Sequence, residues 1–142
     1  MKISQAMIVK NEEKNIERAL SWGKGVVSEQ IVVDTGSTDR TVELAKSMGA
    51  KVFSFPWRDD FSLARNFAIE KCKYPWIVML DADEYFSKED AGKLKNAIAL
   101  VEPSNHIHGI STLCANLNKD GEIGSLGSLV RIFRNRKDIR YK

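Results

Sequence analysis

Cysteine is scarce, charge is nearly balanced and no long apolar run occurs, and each shortage closes off a class of protein. Only Cys72 and Cys114 occur among 142 residues, far apart and without metal-ligand spacing, so neither a disulfide framework nor a zinc module is encoded. Cys72 falls in an amphipathic helical stretch and reads as a small core residue rather than a nucleophile. The formal net charge is +3, too small to call for a nucleic-acid partner. After Met1-Lys2 the short apolar run Ala6 to Val9 stops at Lys10-Asn11-Glu12-Glu13, unlike a secretory leader. No stretch reaches the ~20 apolar residues needed to cross a bilayer, and internal repeats and low-complexity linkers are missing. The expectation is a cytoplasmic, reduced protein, with the inner face of the membrane as an alternative address. A hydrophobic share of 43% is enough for one domain with a sizeable core.

What is present is organised around Trp76-Ile77-Val78-Met79-Leu80, followed by Asp81-Ala82-Asp83-Glu84. Five apolar residues in a row, two of them β-branched, predict a strand buried on both faces. Three carboxylates within the next four positions put negative charge at the carboxyl edge of a sheet. If the extended backbone persists, Asp81 and Asp83 share a side and Ala82 leaves room between them. Two hard oxygen donors suit Mg²⁺ or Mn²⁺, which keeps several waters and takes further ligands from substrate phosphates. Capping of the next helix is the alternative role for these acids.

Taken in order, the chain alternates strand and helix. Ile3 to Val9 is a first strand. Asn11 is a candidate cap for a helix carrying Ile16, Ala19 and Leu20, which Gly23 and Gly25 break. A second strand, Gln30 to Val33, ends in the polar hexad Asp34-Thr35-Gly36-Ser37-Thr38-Asp39. A helix with Val42, Leu44, Ala45 and Met48 follows, closed by Gly49. Lys51 to Phe55 is a third strand, stopped by Pro56. A helix from about Phe61 to Cys72 is expected to bury Phe61, Ala64, Ala68 and Cys72. Ser87 and Asp90 form a capping box for a last helix that buries Leu94, Ala97, Ile98 and Val101 and ends at Pro103.

Such alternation predicts a parallel sheet with right-handed crossovers, of order 3-2-1-4 and with helices on both faces. Winding reverses between the first and fourth strands, and ligands bind open α/β sheets at the crevice this reversal creates. Asn11-Glu12-Glu13, Asp34 to Ser37 and Asp81-Ala82-Asp83 should therefore meet at neighbouring strand ends. Beyond Pro103 the pattern changes to an antiparallel hairpin: weak alternation from His106 to Leu113, a turn at Asp120-Gly121, and a strand from Ser128 to Phe133. The last stretch holds Arg131, Arg134, Arg136, Lys137, Arg140 and Lys142 against Asp138, which reads as a solvated edge, with a phosphate- or membrane-facing patch as the alternative. His106 and His108 share a strand face, but a zinc site there would need further ligands.

Four blocks carry a resemblance: Met7-Ile8-Val9-Lys10-Asn11-Glu12-Glu13, Val32 to Thr41, Asp60-Phe61-Ser62-Leu63-Ala64-Arg65-Asn66-Phe67-Ala68, and Trp76 to Glu84. Together and in this order, over roughly residues 3 to 86, they resemble the opening of family 2 glycosyltransferases. Ser128 to Arg134 is similar to a later segment of relatives that often carry helical repeats. The resemblance implies an inverting enzyme of the GT-A fold, Rossmann-like, using a nucleotide-diphosphate sugar (a UDP-sugar) and Mn²⁺ or Mg²⁺. By the same resemblance Val9, Lys10, Asn11 and Glu12 line the nucleobase, Val9 through its backbone. Lys10 stands where many relatives have an aromatic. Asp34 and Thr35 face base and ribose, with Ser37 beside them in the donor site, and Thr35 replaces a second Asp common in relatives. Arg65 approaches the diphosphate. Asp81 is implied as ribose or metal-water ligand and Asp83 as direct metal ligand, with Ala82 between them.

The reaction so implied is displacement at the anomeric carbon by an acceptor hydroxyl or thiol, helped by a general base. No residue of this sequence is identified as that base. Asp120 and Glu122, acids in a predicted turn, are weak candidates, and in the family the base lies in the acceptor half. The chain is thus expected to be a single, truncated GT-A domain, with residues 1–103 as the nucleotide-sugar-binding half and 104–142 as the start of the acceptor half. Its acceptor, whether saccharide, lipid-linked glycan or peptide, is open, and a homodimer is the simplest cover for an exposed sheet edge. A catalytically incomplete binding fragment is the main alternative. A nucleotidyltransferase or phosphatase is disfavoured, because no Gly-rich phosphate loop or Walker-type Lys-Ser/Thr follows the first strand.

Overall fold

The computed structural model describes residues 2–142. Six strands form one sheet: β1 (Ile3–Val9), β2 (Glu29–Asp34), β3 (Lys51–Ser54), β4 (Trp76–Met79), β5 (Gly109–Leu117) and β6 (Ile123–Arg134), in the order β3-β2-β1-β4-β6-β5. The first four are parallel, and β6 joins β4 antiparallel with β5 outside it. The expected 3-2-1-4 order with an appended hairpin is therefore present. The hairpin strands are longer than their alternation suggested, and Gly121 at φ 79° makes the turn between them.

Helices cover both faces because the inner strands are apolar on both. On one side Ala6, Ile31, Val33, Ile77 and Met79 pack against Ala68 and Ile69 of α3 (Phe61–Lys71). On the other, Met7, Val9 and Val32 meet Ile16, Ala19 and Leu20 of α1 (Ile16–Ser21) and Ala45 of α2 (Thr41–Ser47). Further along that face Trp76, Val78 and Leu80 pack on Leu94 and Ile98 of α4 (Lys88–Val101). Ile77, Val78 and Met79 are at most 1% exposed, each contributing about 1.5–3 kcal/mol relative to an exposed side chain. Helix α4 starts as its sequence suggested, with the Ser87 hydroxyl accepting from the Asp90 amide at 3.1 Å. Its far end is held by Arg134, whose guanidinium donates to the carbonyls of Val101, Glu102 and Ser104.

The amino-terminal half of the sheet buries polar side chains, and each is answered. Gln30 Nε2 donates to Gln5 Oε1 (2.8 Å) and to the Leu20 carbonyl (2.7 Å), while Gln5 Nε2 donates to the Ala19 carbonyl (2.9 Å). A Cβ at Gly23 would lie 2.9 Å from both amide side chains, so any larger residue there would displace this pair. Glu29 accepts from Ser4 Oγ (2.6 Å), the Lys73 amide (2.7 Å) and Lys51 Nζ (3.1 Å).

Three local expectations are corrected. Asn11 does not cap α1: Asn15 occupies that position without a side-chain cap bond, and Asn11 sits at φ 53° four residues earlier in the loop. Phe61 does not join the buried face of α3. It starts the helix beside Asp60, whose carboxylate caps it, and is 58% exposed. The basic C-terminal run is not a solvated edge throughout, since the Arg131 and Arg134 side chains are about five-sixths buried in ion pairs and carbonyl bonds.

Candidate donor site

Strands β1, β2 and β4 all end at one side of the sheet, and their trailing loops form a cleft with α3. A cavity of about 370 Å³ there is lined by Val9, Lys10, Glu12, Thr35, Arg65, Asp81, Ala82 and Asp83, together with Ile8, Trp57 and Phe61. Eight of the eleven residues singled out from sequence thus share one cavity. Asn11, Asp34 and Ser37 do not line it, and their bonds explain why. Asp34 turns its carboxylate onto the amides of Gly36 and Ser37 (3.2 Å), closing its own loop. Ser37 Oγ accepts from the Asn11 amide (2.9 Å), and Asn11 Oδ1 accepts from the Thr38 amide (2.8 Å). Asn11 and Ser37 thus stitch the β1 and β2 loops together, and Asp34 fixes the second of them.

The bonding of Val9 is also specific. Its carbonyl accepts from both the amide and the hydroxyl of Thr35, each at 3.0 Å, which locks the two strand ends in step. Trp57 and Phe61 were not anticipated as lining residues. Their rings meet edge to face at 4.8 Å, stand exposed and line the same cavity as Lys10. The only signal in the sequence was an aromatic pair straddling a polar turn after Pro56, which carries no period.

The acid segment is a turn rather than a continued strand. Extension stops at Met79, the Glu84 amide donates to the Asp81 carbonyl (3.0 Å), and the Asp81 amide donates to Glu84 Oε1 (2.8 Å). Strand alternation therefore does not govern Asp81 and Asp83, although both line the cavity. Glu84 points away to Arg131, whose Nη2 donates to Glu84 Oε2 at 2.8 Å. Asp81 lies between two guanidiniums, with Arg65 Nη2 3.6 Å from one oxygen and Arg131 Nη2 4.0 Å from the other. The Nε of each arginine is buried without a hydrogen-bond partner.

Arg65 is held on its other side by aromatic rings, 5.3 Å from the Phe61 centroid and 5.2 Å from that of Tyr141. Burial pushes the Tyr141 phenol up, against the opposing pull of Arg65 and Arg131. Cys72, pushed up to about 12 by burial, is no nucleophile. Asp120 and Glu122 are exposed at the hairpin tip and line neither this cavity nor the adjoining one beside β5.

The residues fit a divalent cation of the kind the sequence implied. Asp81 is partly open and Asp83 exposed, two hard oxygen donors in one turn with space left for water and phosphate oxygens. Among the described residues no three His, Cys, Asp or Glu side chains converge on one point. The fit is to a cation shared with a bound ligand, not to a closed protein cage. No helix of the described residues is long and apolar enough to cross a membrane.

A parallel 3-2-1-4 sheet with acids at the β4 end and an antiparallel hairpin beyond it defines the GT-A class of fold. The family model for glycosyl transferase family 2 matches residues 4–103, and the chain belongs to that family. It is 38% identical over 142 residues to a TPR repeat-containing protein of Synechococcus elongatus, covering 99% of this chain and 33% of that protein. An uncharacterized glycosyltransferase of Rickettsia bellii is 49% identical over 88 residues, 62% of this chain and 30% of the relative. The chain thus spans about a third of the length of these curated relatives. Among solved structures, S. aureus TarS 1–349 in complex with UDP superposes with a TM-score of 0.62 at 25% identity, over 88% of this chain and 38% of that one.

Proposed function

We propose that this chain forms the nucleotide-sugar-binding part of a glycosyltransferase that transfers a sugar from a UDP-sugar to an acceptor, with inversion at the anomeric carbon. The observation that carries the reading is the meeting of Thr35, Arg65, Asp81 and Asp83 in one cleft at three neighbouring strand ends. Family membership and the similarity to a UDP-bound protein support the nucleotide class of the donor. Lys10 offers an alkyl stem, and Trp57 and Phe61 offer ring faces, against which a base can stack. Arg65 presents a planar fork to diphosphate oxygens. When bound by Asp81 and Asp83, Mg²⁺ or Mn²⁺ would supply charge stabilisation to the departing diphosphate. Asp34, Asn11 and Ser37 serve by fixing the two loops.

We assign residues 1–103 to donor binding and 104–142 to the beginning of the acceptor part. The general base is assigned to none of the described residues, since neither hairpin acid reaches the cleft. A catalytically incomplete binding module is the second reading, favoured by that same observation. Calorimetric titration with UDP, with and without Mn²⁺, tests donor binding: metal-enhanced binding is expected, and equal binding without metal would remove the cation from the account. Release of free sugar from the donor with no transfer to any acceptor would select the second reading. One face of the hairpin carries Leu113, Leu117, Ile123, Leu126 and Val130, all exposed, which supports a homodimer. Light scattering at micromolar concentration should give twice the mass of one chain, and a monomer would overturn it.

A further inference from the structure

The β5–β6 ladder has a bulge beside the donor cleft. Ile110 pairs with Ile132 and Ser111 with Val130, so Arg131 has no partner across the ladder. Bulges re-aim a side chain that regular alternation would send elsewhere. Here the re-aimed residue crosses to the acid turn and donates to Glu84 Oε2 at 2.8 Å. The other oxygen of Glu84 accepts the Asp81 amide at 2.8 Å. A chain of two charge-assisted bonds thus runs from the hairpin to the backbone of the residue that lines the cleft. It is well shielded, with Arg131 and Glu84 side chains 15% and 17% exposed. Cys114 adds a weak third contact, Sγ to Glu84 Oε2 at 3.7 Å.

We infer that Arg131, acting through Glu84, is a positioning residue that sets the Asp81–Asp83 turn in the geometry that binds a divalent cation together with a nucleoside diphosphate. The inference rests on the donor-site reading above, but its mechanical part does not. Loss of a group that orients a metal ligand from outside the ligand set typically costs about 10–100-fold in metal affinity. Glu84 orients Asp81 by fixing a backbone amide, and Arg131 fixes Glu84. The guanidinium also lies 4.0 Å from Asp81 itself, so it holds the free turn while that carboxylate waits for its cation. The hairpin and the donor cleft are thereby mechanically joined: a shift of β6 is felt at Asp81 before any ligand of the cleft moves.

The test uses three variants of the full chain, Arg131→Ala, Arg131→Lys and Glu84→Gln, with two readouts. The first is amide hydrogen exchange at Asp81 in the protein without ligand, normalised to core amides of β1. Glu84→Gln and Arg131→Ala should each accelerate it, and Arg131→Lys should restore part of the protection. The second is the Mn²⁺ concentration that half-saturates UDP binding, which should rise by about tenfold or more in Glu84→Gln and Arg131→Ala. Binding of UDP without metal should stay near its starting value. Combining Arg131→Ala with Glu84→Gln should cost no more than either alone, because both act on one contact. Unchanged Asp81 exchange, additive losses, or equal loss with and without metal would overturn the inference. If Arg131→Ala fails to fold, the nearly isosteric Glu84→Gln decides it. If the parent protein binds no UDP under any metal, the donor-site reading fails, and the exchange data still judge the clamp.

Discussion

The two ends of the same strands treat their polar groups in opposite ways. At the amino end Glu29, Ser4, Gln5 and Gln30 are buried and bonded to one another and to nearby backbone. At the carboxyl end Lys10, Asp81, Asp83, Arg65 and Arg131 gather in or beside the cleft with capacity left over, including two buried guanidinium nitrogens without partners. Burying a polar group is tolerable when its bonds are made and costly when they are not. A saturated cluster stabilises and fixes strand register, whereas an unsaturated one beside a cavity has bonds left to give a ligand. Buried polarity alone does not mark a site; incomplete satisfaction beside an opening does.

The contrast is sharpest at Asp83. Asp83→Asn should weaken Mn²⁺-dependent UDP binding by at least the ~10–100-fold that disturbing an outer partner of a metal ligand costs. Its urea midpoint should not fall, because an exposed carboxylate supports no buried bond. A variant that unfolds early while binding UDP normally would reverse the comparison. Gln30→Ala is the mirror experiment. It orphans Gln5 Oε1 and the Leu20 carbonyl, so urea denaturation should show a loss of about 1–3 kcal/mol, and UDP affinity in the folded protein should be unchanged. Reduced affinity at full occupancy of the folded state would mean the amino end also shapes the cleft.

The smallest effect concerns Glu29 and shows only against pH. Burial raises its pKa, but bonds from the Lys73 amide, Ser4 and Lys51 outweigh that, and the carboxyl ends below its ordinary 4.5. A lowered folded-state pKa stabilises the protein above the unfolded value, and that share is lost as pH falls through the folded one. Glu29→Gln should therefore be less stable than the parent at pH 7, with the gap closing below about pH 4.5. Parallel stability curves from pH 7 to 3 would deny Glu29 that role.

Most of the framework was legible because it follows from period and punctuation. The run Trp76 to Leu80, the Gly49 closure of α2 (φ 84°) and the Ser87 cap all stand where apolar spacing and turn chemistry put them. What failed to show depended on how loops and ladder are built in space, which period and punctuation do not carry. Arg131 looked like one of six cations on an edge, because a one-residue bulge is invisible to strand alternation. Asp34 reads from sequence as facing base and ribose, and the bonds its carboxylate accepts from the Gly36 and Ser37 amides emerge only once the loop is built. Phe61 fitted a helical stripe, yet as the first residue of α3 it has too little helix around it to be covered.

Asn66 and Tyr141 exchange two hydrogen bonds at 2.8 Å, side-chain amide to backbone in both directions, and Ser62 Oγ adds one to the Lys142 carbonyl. This clasp gives the cleft a birth order. A chain made from its amino end completes α3 some while before Tyr141 leaves the ribosome. Until then Arg65 has the Phe61 ring beside it but not that of Tyr141. A nascent chain that has reached Arg134 already holds all six strands described, while Arg65 still lacks the Tyr141 ring. Closure of the Tyr141 side of the cleft therefore comes late in the making of this segment, and Tyr141→Ala should loosen Arg65 without unravelling the sheet.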